Sequence, residues 1–306
     1  MKISQCIIYI LLILSFHSCF TGIESTPKIT YKNDTHEDIS NISEEEKYLS
    51  LIKNKTFDQW KHGKEFIITD NKLSLVLSSN KTISPLAGSK IKYIGFESNP
   101  SVTGSTYTKI LFADYKNDTL CYRINLSPKE LLNHKNIDIP FTIQQSIIND
   151  VRKLLIGKQY YIITSTWYNL NGENIKGKKF IPVTITNIDA GNEKYPISVT
   201  FKDNNQNSYC VYMTIGNKIQ STRDFHKLFS FTNPQKKYQK ITTETWNYII
   251  NGNIMIGMNK DECKLALGTP NFIERLPSNA GVIELWKYDN GYQLLFEDGV
   301  LKEYKQ

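Results

Sequence analysis

Hydrophobic and polar positions change period several times along this chain of 306 residues. Ile7 to Leu14 is an unbroken apolar run behind a single Lys2. A bilayer-spanning helix needs about 20 apolar residues, so this run is too short to cross. A basic start followed by a short apolar stretch reads as a secretory signal peptide over 1–18, outside the fold. Residues 19–43 are polar and aperiodic, which predicts a flexible tether. Ser43, with Glu46 three residues on, forms a capping-box pattern. Tyr48, Leu51 and Ile52 then fall at helical spacing and predict a helix over 44–54.

From about 64 to 235 short runs rich in Ile, Val, Tyr, Phe and Thr alternate with Gly, Asn and Asp, the pattern of small antiparallel sheets. Two of them repeat. In KILFADYKNDTLCYRI and SVTFKDNNQNSYCVYM, Ile110/Val199, Phe112/Phe201, Asp114/Asp203 and Cys121/Cys210 share a constant offset of 89. Upstream, KIKYI (90–94) and KQYYI (158–162) match at an offset of 68, which predicts a 21-residue insertion in the second copy around Trp167 to Gly177. Ile147, Ile148, Val151, Leu154 and Leu155 follow helical spacing and predict a connecting helix. The expectation is two β-modules in tandem: 44–145, with the N-terminal helix, and 146–240. Each opens with a Gly-Lys element, Gly88-Ser89-Lys90 and Gly157-Lys158, before an aromatic strand, and this order resembles small SH3-like barrels.

The period changes again at 241–306. Trp246, Ile249 and Ile250 predict one helix, closed by Asn251-Gly252. A second is capped by Asn259, with Asp261 and Glu262 in its first turn, where acidic groups oppose the positive end of the helix dipole. Cys263, Ala266 and Leu267 share one face; Gly268 and Pro270 end it. Three strands follow, GVIELWKY, YQLLFE and VLKEY, joined by Asp289-Asn290-Gly291 and Asp298-Gly299, strong hairpin signals. The predicted fold is mainly β with an α+β C-terminal module: two small SH3-like β-barrel modules, then an ααβββ two-layer domain.

Two resemblances add to this reading. Gly257-Met258, Leu267-Gly268-Thr269-Pro270, Trp286-Lys287-Tyr288 and Phe296-Glu297-Asp298-Gly299-Val300, in that order, resemble the SmpA/OmlA (BamE-like) family of envelope lipoproteins over about a fifth of the chain. That resemblance implies a periplasm-facing, protein-binding module without catalysis. The long β-rich region before it departs from the small family members. Phe16-His17-Ser18-Cys19 resembles a relaxed bacterial lipobox, which implies cleavage before Cys19 and acylation of that residue; ordinary cleavage downstream, at Ser25 for example, would instead release a soluble secreted protein. Buried methylenes contribute about 0.8 kcal/mol each and a durable hold needs more than one chain, so triacylated Cys19 would anchor the protein.

Composition changes this picture little. Loss of Lys2 with the leader takes the net charge from +7 to +6, with lysines scattered rather than striped. Nucleic-acid binding would require a clustered basic stripe. Cys121, Cys210 and Cys263 show no CxxC or zinc spacing and are expected to be small core residues. His36, His62, His134 and His226 are unpaired in sequence, and no nucleophile, metal or phosphate-loop motif is present. No catalytic residue, metal or cofactor is expected. Asp114 and Asp203 recur at matched positions but read as hairpin-turn residues. Trp167 and Tyr168 are the candidate binding residues, since exposed aromatics anchor interfaces or stack on sugars; the alternative turns one inward. The function expected is therefore a non-enzymatic outer-membrane lipoprotein, held through its lipid anchor and binding an envelope protein as a scaffold or assembly accessory. Its periplasmic face is favoured, with surface exposure left open. The rivals are a cell-wall or capsule glycan-binding module and a hydrolase or hydrolase inhibitor.

Overall fold

Alternating β-branched and aromatic runs form antiparallel strands, and the chain is mainly β, with one sheet curled into a half-barrel. The structure is a computed structural model that describes residues 43–79, 86–100, 106–134, 137–215, 223–276 and 281–306. The predicted leader, most of the tether and Cys19 lie outside the described residues.

The first sheet contains β1 (Glu65–Ile68), β2 (Leu77–Ser78), β3 (Lys90–Pro100), β4 (Thr106–Ala113), β5 (Thr119–Ile124) and β6 (Thr142–Gln144), in the order β2-β5-β4-β3-β1-β6. Inward positions along β4 alternate, Thr108, Ile110 and Phe112, and meet Phe66, Ile91 and Leu120 in one core. Each fully buried side chain of this size contributes about 1.5–3 kcal/mol.

The second sheet contains β7 (Gln159–Ile162), β8 (Thr166–Tyr168), β9 (Asn174–Lys176), β10 (Ile181–Ala190), β11 (Ile197–Lys202), β12 (Ser208–Met213) and β13 (Phe229–Ser230). Among the described residues its order, β13-β7-β10-β11-β12-β8-β9, is the order of the first sheet with β9 in addition at one edge; residues 80–85, between β2 and β3, lie outside the described residues. Helix α2 (Pro128–Asn133) precedes β6 as α4 (Phe225–Leu228) precedes β13. The offset-89 pairs share one register: Leu111 faces Cys121 as Thr200 faces Cys210, and Phe112 faces Leu120 as Phe201 faces Tyr209. Each copy also has a register shift at the same place in its β-meander, between Tyr93 and Gly95 and between Ile185 and Asn187.

The upstream alignment is corrected. KIKYI lies on β3 but KQYYI on β7, whose counterpart is β1, so the offset of 68 joins unlike strands. The true partners are Gly63-Lys64 and Gly157-Lys158. Gly63 N donates to Tyr93 O at 2.8 Å and Tyr93 N to Lys64 O at 2.8 Å; Gly157 N donates to Ile185 O at 2.9 Å and Ile185 N to Lys158 O at 3.1 Å. Both glycines hold φ above +80°, a conformation other residues reach at a penalty. The offset is thus 94 here and 89 at β4 and β11, so the copies differ by small length changes. The expected 21-residue insertion is absent: 166–176 form β8 and β9, and β8 pairs with β12 as β2 pairs with β5.

Helix α3 (Gln145–Leu155) joins the copies and buries Ile147, Ile148, Val151 and Leu155 in the second core. The N-terminal helix α1 is shorter than its spacing predicts, Glu44–Tyr48. Its capping box is present, but Ser50 Oγ turns back onto Lys47 O at 2.7 Å, a local bond that competes with helix continuation. Although α1 leads into the first sheet, Tyr48 and Leu49 pack on the second core.

The C-terminal unit has α5 (Thr243–Ile250) and α6 (Lys260–Leu267) on one face of a four-stranded antiparallel sheet, β14 (Phe272–Leu276), β15 (Ile283–Lys287), β16 (Gln293–Glu297) and β17 (Val300–Lys305). The sheet has one strand more than the ααβββ expectation. FIERL of β14 shows no alternation because this edge strand buries none of its residues, which hid it from periodicity. Helix α6 starts at Asn259 with a full capping box and stops at Gly268, φ +92°.

Candidate functional site

Neighbouring strand residues face opposite sides of a sheet, and this separates Trp167 from Tyr168 on β8. Trp167 is 3% exposed; its Nε1 donates to Thr164 O at 2.8 Å and its ring meets Phe201 edge-on at 5.0 Å. Gly177 closes over the ring, where a Cβ would fall 2.0 Å away. Trp167 is therefore a wall of the second core. Tyr168 is half-buried, its ring edge-on to Tyr212 at 4.7 Å.

The other sequence candidates are dispersed. His62 and His134 are exposed, and His226 lies 3.7 Å from Glu46; His36 is outside the described residues. Asp114 and Asp203 serve matched turns: Asp114 Oδ1 accepts from Lys116 N and Asp118 N, and Asp203 Oδ1 from Asn205 N and Asn207 N, at 2.8–2.9 Å. The three cysteines are free thiols. Cys210 and Cys263 are core residues as expected, but Cys121 is only half-buried, on a strand paired to the two-residue β2. Burial, with Glu262 adding to it, pushes the Cys263 thiol up to about 12, so it stays protonated at neutral pH. Among the described residues no three His, Cys, Asp or Glu side chains gather as a metal cage requires.

A contiguous feature that sequence reasoning missed lies on the C-terminal sheet. Trp286, Leu294, Phe296 and Leu301 point to the helices and are buried. The alternate residues on β14, β15 and β16 point the other way, and there Leu276, Ile283, Leu285 and Leu295 form a half-exposed apolar centre. Phe272 and Val300 are exposed at its margins. A charged rim borders it: Lys287 Nζ is 3.2 Å from Glu274 and 5.4 Å from the Phe272 ring centroid. Strands such as IELWK and QLLFE are apolar on both faces, and this was the available signal, since a one-sided sheet alternates apolar with polar.

The side of the sheet under the helices is built to be rigid. Glu284 is buried, accepting from Lys260 Nζ at 2.9 Å, Trp286 Nε1 at 3.0 Å and Arg275 Nε at 3.4 Å. The bond from Lys260 is the main cause holding its carboxyl below the ordinary value. A locked first layer under an apolar outer face is a surface suited to binding another protein.

No known family profile matches the chain, and no curated protein does.

Proposed function

We propose that this protein is a non-enzymatic lipoprotein of the bacterial outer membrane that binds an envelope protein through its C-terminal module. In this reading the two matched sheets are SH3-like barrels that act as a spacer, and the C-terminal unit is an SmpA/OmlA-type module. The observation that carries it is the apolar outer face centred on Leu276, Ile283, Leu285 and Leu295, rimmed by the Lys287–Glu274 pair. Binding cores are apolar with a polar rim, and sheets facing water on one side are otherwise polar there. The strand order and the Gly-Lys openings support the barrel reading, and the short apolar leader before Cys19 supports the anchor.

In-cell crosslinking with mass spectrometry on the membrane fraction tests it. A recurrent envelope protein should be recovered with the wild-type chain and lost with Leu285→Lys, whose melting temperature should stay close to wild type because the residue faces outward. Cys19→Ala should move the protein from the lipid-labelled membrane fraction to the soluble one. Retention of Cys19→Ala in the membrane would sink the anchor; crosslinks indifferent to Leu285→Lys would sink the face.

A further inference from the structure

The two copies differ in charge at one corner of the fold. In the first copy a cavity of about 410 Å³ opens beside Gly63, walled on one side by Lys55, Lys61, His62 and Lys64 and on the other by the first turn of α3. We propose that this cavity binds a phosphate group, carried either by a lipid headgroup or by a soluble phosphorylated ligand.

The lysines are set in place rather than scattered. Lys64 Nζ donates to Gln144 Oε1 at 2.7 Å and stands 5.7 Å from the ring centroids of both Trp60 and Phe66. Gln144 is 3% exposed, and the same oxygen accepts from Lys55 N at 3.4 Å, so one buried amide ties both lysine segments to the rim. Among the described residues none of Lys55, Lys61 and Lys64 forms an ion pair with a carboxylate. The carboxylate in the lining, Glu65, is already occupied by Lys90 at 2.9 Å and Lys92 at 3.8 Å. Positive charge in the cavity is thus in excess. Burial first, and then the charge of Lys55, bring the Lys64 ammonium down to about 8. Two like charges held near each other are a stress that an anion between them would relieve.

The fold does not require this charge. Lys64 N donates to Lys61 O at 3.0 Å as Lys158 N donates to Leu155 O at 3.2 Å, so Lys61 and His62 stand where the second copy has Leu155 and Ile156. The shared lysine of the second copy, Lys158, is taken by Tyr48, whose hydroxyl lies 2.8 Å from its Nζ. The same framework therefore carries Leu155, buried, and Ile156 in one copy where the other carries Lys61 and His62, both exposed. Three lysines exceed what one carboxylate can balance, whereas a phosphate carries close to two charges and three acceptor oxygens. The opposite wall adds backbone donors, because Gln144 at the N-cap of α3 makes no capping bond.

Isothermal titration of the full chain with pyrophosphate tests the site, with vesicles of phosphatidylcholine with and without phosphatidic acid as the second arm. The vesicle arm uses the chain carrying Cys19→Ala, so that no acyl anchor masks the result. Saturable binding is expected, weakened about tenfold by either Lys55→Gln or Lys61→Gln, each of which removes one charge-assisted bond. The paired change Lys236→Gln with Lys237→Gln, elsewhere on the surface, should leave it unchanged. Retention on phosphatidic-acid vesicles identifies a lipid headgroup; binding of pyrophosphate without vesicle retention identifies a soluble ligand. No saturable binding in either arm, or an equal loss in the Lys236/Lys237 pair, overturns the proposal. Both cavity lysines are exposed, so unchanged melting separates lost binding from lost folding.

Discussion

At the scale of single residues, the pair Trp167 and Tyr168 shows how strand phase decides a role. Trp167 fills the second core beneath Gly177, while Tyr168 faces the other way. Trp167→Ala is expected to lower stability by about 3–5 kcal/mol through the cavity it leaves. Tyr168→Ala should lower it much less. Gly177→Ala should also destabilise, by about 1–3 kcal/mol, since its Cβ would have to displace the indole. Urea unfolding midpoints of the three variants check this ordering; a Tyr168→Ala loss equal to that of Trp167→Ala would refute it. The sequence shows two adjacent aromatics, and alternation says that one turns inward. It does not say which, because both side chains suit either face, and only the pairing of β8 with β12 sets the phase.

At the scale of elements, the duplicated hairpin is the feature most legible from sequence. The offset of 89 holds through β4–β5 and β11–β12 and through the turns between them, where Asn117 and Gln206 both adopt positive φ, +62° and +63°. That match predicts an asymmetry. A left-handed conformation opposes most side chains by about 1–2 kcal/mol, but Asn tolerates it. Gln206→Gly should therefore raise stability by about 0.5 kcal/mol after the entropy of glycine is set against it, whereas Asn117→Gly should change little. Thermal melts of the two variants decide it, and equal shifts would count against the turn geometry. The rest of the repeat was harder to read. KIKYI and KQYYI look alike because any strand with one buried face yields Lys, aromatic and Ile in alternation; the true counterpart, KEFII (64–68), matches KQYYI just as well, at Lys64/Lys158, Phe66/Tyr160 and Ile68/Ile162, while the LS of β2 shares no such string with β8. The two C-terminal helices were readable from caps and stops, and β14 was not, because an exposed edge strand has no inward set to betray its period.

At the scale of the whole molecule, one buried lysine links the second copy to the C-terminal unit. Lys179, between β9 and β10, is 7% exposed and donates through Nζ to the carbonyls of Leu265 and Ala266, the latter at 2.6 Å. These carbonyls close the last turn of α6, where a cation meets the negative end of the helix dipole. The same loop adds Lys179 N to Ile250 O at 2.9 Å, Lys176 Nζ to Gly252 O at 3.0 Å and Phe180 edge-on to Trp246 at 5.9 Å, so the two units are pinned together. Burial brings the Lys179 ammonium down to about 8 from an ordinary 10.5, with Lys176 adding to the effect. The folded protein thus releases this proton before the unfolded chain does. Between about pH 8 and pH 10.5 the unfolded state binds more protons, and linkage makes stability rise with pH across that window. Lys64, also brought down to about 8, acts in the same direction. Cys121, Cys210 and Cys263 act against it as the pH nears the ordinary thiol value of 9.0, because burial raises each folded thiol and the unfolded chain ionises first. The two lysines therefore outweigh the thiols at the start of this window, from pH 8 to 9. Urea unfolding free energies measured at both ends should rise for the wild type. Lys179→Met should be less stable throughout, with two carbonyls left unpaired, and should show a shallower rise over the same interval. A slope unchanged in Lys179→Met would mean that this lysine is not the buried cation that couples the two units.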